Sequence, residues 1–137
     1  METKIFTLVE ANAMLPQLSE DLRQLQRLIV MLEERSRELN KRKGEAKPPD
    51  AGAGNDADPF FELETSIEFM RMEAELLVGN FARKGVLLKM IDPGLIDFPA
   101  VVDGQSVLIC WKQGEERITH YHGWEEGFIG RKRHPEA

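Results

Sequence analysis

Three residues in the last third of the chain are of the types that do chemistry: a carboxylate at Asp97, the single thiol at Cys110 and a hydroxyl at Thr119. Asp103-Gly104 is a two-residue hairpin turn that sets Asp97 against Cys110, Phe98 against Ile109 and Ala100 against Val107. A second turn at Gln113-Gly114-Glu115-Glu116 then places Ile118 opposite Trp111, Thr119 opposite Cys110 and His120 opposite Ile109. A row of acid, thiol and hydroxyl suggests a nucleophile. Its electrostatics oppose that role, because a neighbouring carboxylate raises a thiol pKa whereas catalysis needs it lowered. Lys112 and Arg117 are offset from the thiol by a strand step. A half-buried structural cysteine is therefore expected. Asp97, Cys110 and Thr119 are the nearest candidates for catalysis, and none is assigned.

His120 and His122 lie ahead of Glu125 and Glu126. Alternate residues on a strand point the same way, so the two histidines are candidates to converge on a metal. The register above puts His120 on the apolar face, where a hydrogen-bonded edge histidine is expected instead. No metal and no cofactor is expected. The segment Gly127-Phe128-Ile129-Gly130-Arg131-Lys132-Arg133 combines glycines with basic residues but has no preceding strand and no P-loop lysine. A turn with a solvated basic tail over 127–137 is expected. Should a ligand bind in this region, His122, Glu126 and Arg131 are the side chains to meet it.

The elements that position these residues begin with two apolar heptad stripes. One runs Leu15, Leu18, Leu22, Leu25, Ile29, Leu32, Ser36, Leu39; the other runs Phe60, Leu63, Ile67, Met70, Ala74, Leu77, Phe81. Steps of three and four keep a side chain on one helix seam. The expectation is a coiled-coil-like antiparallel hairpin over 7–84, with helices about 40 Å long. Thr7-Leu8-Val9-Glu10 reads as a capping box, and Pro16 predicts a kink or break between a short helix over 8–14 and a long one from Pro16 to about Lys43. Residues 44–58, with two prolines and three glycines, read as a flexible linker. Asp58-Pro59 starts the second helix and Gly85 ends it. Arg35, Arg37, Lys41, Arg42 and Lys43 crowd one end of the hairpin, where Asp56, Asp58, Glu62 and Glu64 would meet them.

From Val86 the period changes to that of strands. The fold class expected is α+β: the helical hairpin followed by a small antiparallel sheet of three to four strands, a meander over 86–122, in one domain of 137 residues. Pro99 predicts an edge position or a bulge. The face carrying Ile96, Phe98, Ala100, Val107, Ile109, Trp111 and Ile118 should pack on the helices.

The chain is 42% hydrophobic and 31% charged, with a net charge of −6. That acidity argues against a nucleic-acid partner, and no apolar run approaches the ~20 residues of a membrane span. No secretory leader is read at the N-terminus, and a single cysteine excludes an internal disulfide, so a cytoplasmic protein is expected.

Four motifs in order carry a resemblance: Phe6-Thr7-Leu8-Val9-Glu10-Ala11-Asn12 with Leu15-Pro16, then Gly94-Leu95-Ile96-Asp97-Phe98-Pro99-Ala100, then Cys110-Trp111-Lys112-Gln113-Gly114-Glu115, then His122 with Glu126-Gly127-Phe128-Ile129-Gly130-Arg131. The sequence resembles the bacterial domain of unknown function 2203 family over nearly all of its length except the linker. The resemblance implies a small bacterial cytoplasmic protein and supplies no activity. In this chain Lys132-Arg133-His134 stands where a glutamine-proline ending would be expected.

Leu28 and Met31 on the first helix, and Phe69, Met72 and Leu76 on the second, lie off the seams and widen the apolar surface. The favoured expectation is an interaction or scaffold module, not an enzyme, that forms a homodimer or binds a protein partner through these residues. The alternative is a small enzyme or a ligand- or metal-binding protein that uses the polar sheet face and the C-terminal His, Glu and Arg residues.

Overall fold

The computed structural model describes residues 4–45 and 58–137. Most of the expected linker, residues 46–57, lies outside the described residues. Helix α1 spans Leu8–Glu45 and α2 spans Phe61–Arg83. The strands are β1 Leu87–Met90, β2 Leu95–Val102, β3 Gln105–Lys112, β4 His120–Gly123 and β5 Lys132–Arg133, with a 3-10 turn at Phe128–Gly130.

Local chemistry sets the helix ends. The Thr7 amide donates to Glu10 Oε1 at 3.0 Å and the Glu10 amide donates to Thr7 Oγ1 at 3.1 Å, which completes the capping box. These bonds to Thr7, backbone first, hold the Glu10 carboxyl below its usual range. At the end of α2, Gly85 takes the left-handed φ of 85°. Its amide donates to Ala82 O and the Val86 amide to Phe81 O, the two bonds of a Schellman motif. Asp58 Oδ1 accepts the Phe60 amide just ahead of α2.

The break expected at Pro16 does not occur; α1 is one helix of 38 residues. Pro16 itself is exposed, whereas Leu15, Leu18, Leu22 and Leu25 around it are all buried. Keeping that stripe in register outweighs the ~3 kcal/mol that an interior proline costs a helix.

By packing, the chain divides into two compact units, Met1–Gln26 with Leu77–Ala137, and Arg27–Leu76. In the first unit the five strands form one antiparallel sheet in sequence order, one more strand than the upper expectation. The extra strand, β5, comes from the tail expected to be solvated, and it pairs Arg133 with His120 and Lys132 with Tyr121. Register between β2 and β3 is the expected one, with Asp97 opposite Cys110 and Phe98 opposite Ile109. Pro99 sits where β1 has already ended, and its carbonyl accepts the Phe6 amide at 2.8 Å. A proline nitrogen is tolerated there because no ladder partner asks for its hydrogen. Phe6 is buried and meets Phe98 edge to face at 5.5 Å.

Register between β3 and β4 is displaced from the expected one. Cys110 pairs with His120, not Thr119, Ile109 with Tyr121, and Leu108 with His122. The connection is longer than the four-residue turn assumed for it, and Ile118 is outside the ladder. Asn12 of α1 holds Ile118 by both backbone groups: its Nδ2 donates to Ile118 O at 3.1 Å, and its Oδ1 accepts the Ile118 amide at 2.8 Å. A one-residue slip moves every following side chain to the other face. His120 and His122 thus stand on the face of Asp97 and Cys110, not on the apolar face.

Gln26 fastens α1 further along. Its Nε2 donates to Ile91 O at 2.7 Å and to Gln113 Oε1 at 2.8 Å. Gln113 Oε1 also accepts the Gly94 amide at 2.9 Å. A Cβ at Gly94 would lie 2.1 Å from Leu22 Cδ2, and Leu22 is wholly buried. Gly94→Ala is therefore expected to cost about 1–3 kcal/mol through overpacking, read as a lower urea midpoint with an unchanged slope; an unshifted midpoint would show that this contact is loose.

In the second unit, Leu28 and Ile67 are the buried apolar side chains among the described residues. Leu28 is therefore core, not the interaction surface expected of it. Lys43 Nζ meets Glu64 Oε1 at 2.9 Å, one of the expected basic–acidic pairs, and Arg35 donates to the neutral Ser66 Oγ. Among the described residues no helix is long and apolar enough to cross a membrane.

Candidate metal centre

Asp97, Cys110 and His122 come together on one face of the sheet. Asp97 and Cys110 are directly opposed across β2 and β3, and His122 lies one diagonal step away on β4. Carboxylate oxygen, thiol sulfur and ring nitrogen lie within 4.8 Å of one another, and all three residues are buried. Asp97 is 2% exposed and His122 4%, so water does not solvate these polar groups and each depends on the others.

Hydrogen bonds fix the histidine. His122 Nδ1 lies 2.8 Å from Gly123 O, which can only accept, so Nδ1 carries a hydrogen. His122 Nε2 is turned to Asp97 Oδ1 at 3.2 Å. In the neutral ring with its hydrogen on Nδ1, Nε2 presents a bare lone pair to a carboxylate oxygen. Two lone pairs at that distance repel, so a positive centre belongs between them, either a proton or a metal ion.

Cys110 is the third corner. Burial pushes its thiol up to about 12, and Asp97 adds to the rise by its charge and by accepting the S–H. The Arg131 guanidinium, which also reaches this sulfur, acts in the opposite sense. Arg131 is itself held in a clasp. Its Nη1 donates to both carboxylate oxygens of Glu115 at 3.1 Å, and its guanidinium lies 4.0 Å from the Phe128 ring centre. Glu115 is oriented in turn by the Lys112 amide, which donates to its Oε1 at 2.7 Å. The C-terminal segment thus carries one charged side chain back to the thiol and neutralises it locally with Glu115.

A family model described as Uncharacterized conserved protein (DUF2203) matches residues 4–134. The chain belongs to that family. No curated protein and no solved structure matches it.

Of the residues singled out in the sequence, Asp97, Cys110, His122 and Arg131 converge in this member of the family. Thr119 does not join them; its hydroxyl bonds His120 Nδ1 at 2.7 Å, outside the triad. Glu126 is exposed and lies over Gly123 and Gly130, apart from the triad of donor atoms. Glu115 was read only as part of a turn.

Proposed function

We propose that this protein binds a divalent transition-metal ion of the zinc class through Asp97, Cys110 and His122. The reading is carried by the convergence of three buried donor atoms, one each from Asp97, Cys110 and His122, within 4.8 Å of one another, with His122 Nε2 3.2 Å from Asp97 Oδ1. That separation suits two ligands on one edge of a tetrahedron whose metal bonds are each ~2.0–2.2 Å. The Gly123 carbonyl supplies the outer hydrogen bond that metal-ligating histidines use to fix their tautomer. Charge also balances: a dication offsets one carboxylate and one thiolate, while Glu115 answers Arg131. A mixed sulfur, nitrogen and oxygen set favours a borderline-soft ion over magnesium or calcium. Three protein ligands leave a fourth position for water or a small ligand, as in metal sites that do chemistry. A thiol ligand suits a reducing compartment, and a cytoplasmic location belongs to the proposal.

The inferred register, with Ile109 opposite His120, faces that histidine away from Asp97, whereas the observed one sets it and His122 on the Asp97 face. Cobalt decides the matter. The metal-free protein titrated with Co²⁺ is expected to develop a thiolate-to-cobalt charge-transfer band at one equivalent, bleached by Zn²⁺. Cys110→Ser should remove the band. His122→Gln and Asp97→Asn should weaken binding by more than the roughly 10–100-fold that loss of an outer partner costs. A folded wild-type protein with no such band at excess Co²⁺ would mean that a proton fills the position and the triad is structural.

The helices support a second, compatible reading as an interaction module. We infer an antiparallel hairpin from the Lys43–Glu64 and Arg35–Ser66 contacts within residues 27–76. Met31, Phe69, Met72 and Leu76 are all exposed there.

A further inference from the structure

Helix α2 is apolar on two opposite sides. Ile67 is buried, and Met70 and Ala74 beside it on the seam are partly covered. Phe69, Met72 and Leu76 step three and four residues along the reverse side and are 67%, 54% and 63% exposed. At ~100° per residue the two stripes stand about 180° apart. A helix with apolar residues on both sides is suited to lie between two layers.

The rim of the exposed stripe says what the second layer is. Glu68 and Glu75 flank it on one side, Glu62 and Glu73 on the other, and all four are exposed. Residues 61–76 hold five glutamates and one base, Arg71, whose charge is taken by Glu68 at 3.2 Å. Two copies of α2 laid face to face would set acid against acid. Phosphate backbones and anionic lipid surfaces are repelled by the same charges.

We propose that the stripe formed by Phe69, Met72 and Leu76 receives an amphipathic helix of another protein whose apolar residues recur at i, i+3 or i+4 and i+7 and whose flanks carry Lys or Arg. The apolar contacts supply the affinity, and the glutamate rim selects the sign of the partner. This inference rests on the reading of the helices as an interaction module and is independent of the metal centre, which lies in the other compact unit.

The probe is a labelled synthetic helix with leucine at the a and d heptad positions and lysine at e and g, followed by fluorescence anisotropy against the full chain. Saturable binding is expected, weakened by added salt. Phe69→Ala with Met72→Ala should reduce affinity by roughly tenfold or more, and so should Glu68→Lys with Glu73→Lys. All four positions are exposed, so circular dichroism and the thermal midpoint should stay unchanged. Equal binding by wild type and both double variants would overturn the proposal, as would equal binding of a matched peptide with glutamate flanks. Sedimentation gives the remaining arm: a monomer is expected, and a dimer dissolved by Phe69→Ala would show that a second copy covers the stripe.

Discussion

Leu25→Asp is expected to abolish the folded state, with loss of helical circular dichroism and of cooperative unfolding at room temperature. Leu25 is wholly buried at the centre of the run Leu18, Leu22, Leu25, Leu28. Removing a buried leucine side chain costs about 2–5 kcal/mol, and leaving an unpaired carboxylate in its place adds several more. Together these match the ~5–15 kcal/mol of a typical domain. Protonation of the new aspartate offers partial relief, so some structure should return at acid pH. The exposed Glu34, on the same helix, is the control. Glu34→Asp should shift stability by no more than about 0.5 kcal/mol. Similar losses at both positions would mean that the heptad stripe is not what holds α1.

The contrast between what could and could not be read from the sequence has a consistent cause. The Thr7–Glu10 box and the Gly85 stop were legible because each needs only residues within one turn of a helix. The β2–β3 register was legible because Asp103-Gly104 fixes it locally, and Asp97 beside Cys110 followed from that alone. The β3–β4 register was not, because that connection is held by contacts distant in sequence, such as the bonds from Asn12 to Ile118, 106 residues apart. Asn12 bonds Ile118 just outside the ladder, and in the register observed His122 stands on the face of Asp97. Half of the candidate centre was therefore visible in the strand pattern, and the other half depended on a helix contact that no local pattern encodes. Arg131 stands in a basic run expected to be solvated and is also a ligand candidate, but nothing local in the sequence brings it to Cys110. A two-residue strand such as β5 has no periodicity, and Glu115 reveals its role only once the chain has returned to it.

Below pH 9 the buried thiol should stabilise the metal-free protein, and that stabilisation should disappear as the pH rises to 12. The Cys110 pKa stands near 9.0 in the unfolded chain and is pushed up to about 12 in the folded one, by burial first and by Asp97 second. Between those values the unfolded state gives up its thiol proton while the folded state keeps it. The folded state then binds more protons, so stability falls with rising pH across this window. A shift of three units corresponds to about 4 kcal/mol. Lysines and tyrosine titrate in the same range, so the decisive quantity is the difference between wild type and Cys110→Ala in urea unfolding with a chelator present. Wild type should lose about 3 kcal/mol more than Cys110→Ala between pH 9 and pH 12, since the unfolded thiol is half-titrated at the first and the folded thiol at the second. Alkylation should follow the same titration, with Cys110 slow to react until the pH approaches 12. Parallel stability profiles, or fast alkylation near pH 8, would show that the thiol is not held neutral beside Asp97. If zinc binds as proposed, the sulfur of the loaded protein would already be a thiolate, and the alkaline loss assigned to Cys110 should be absent.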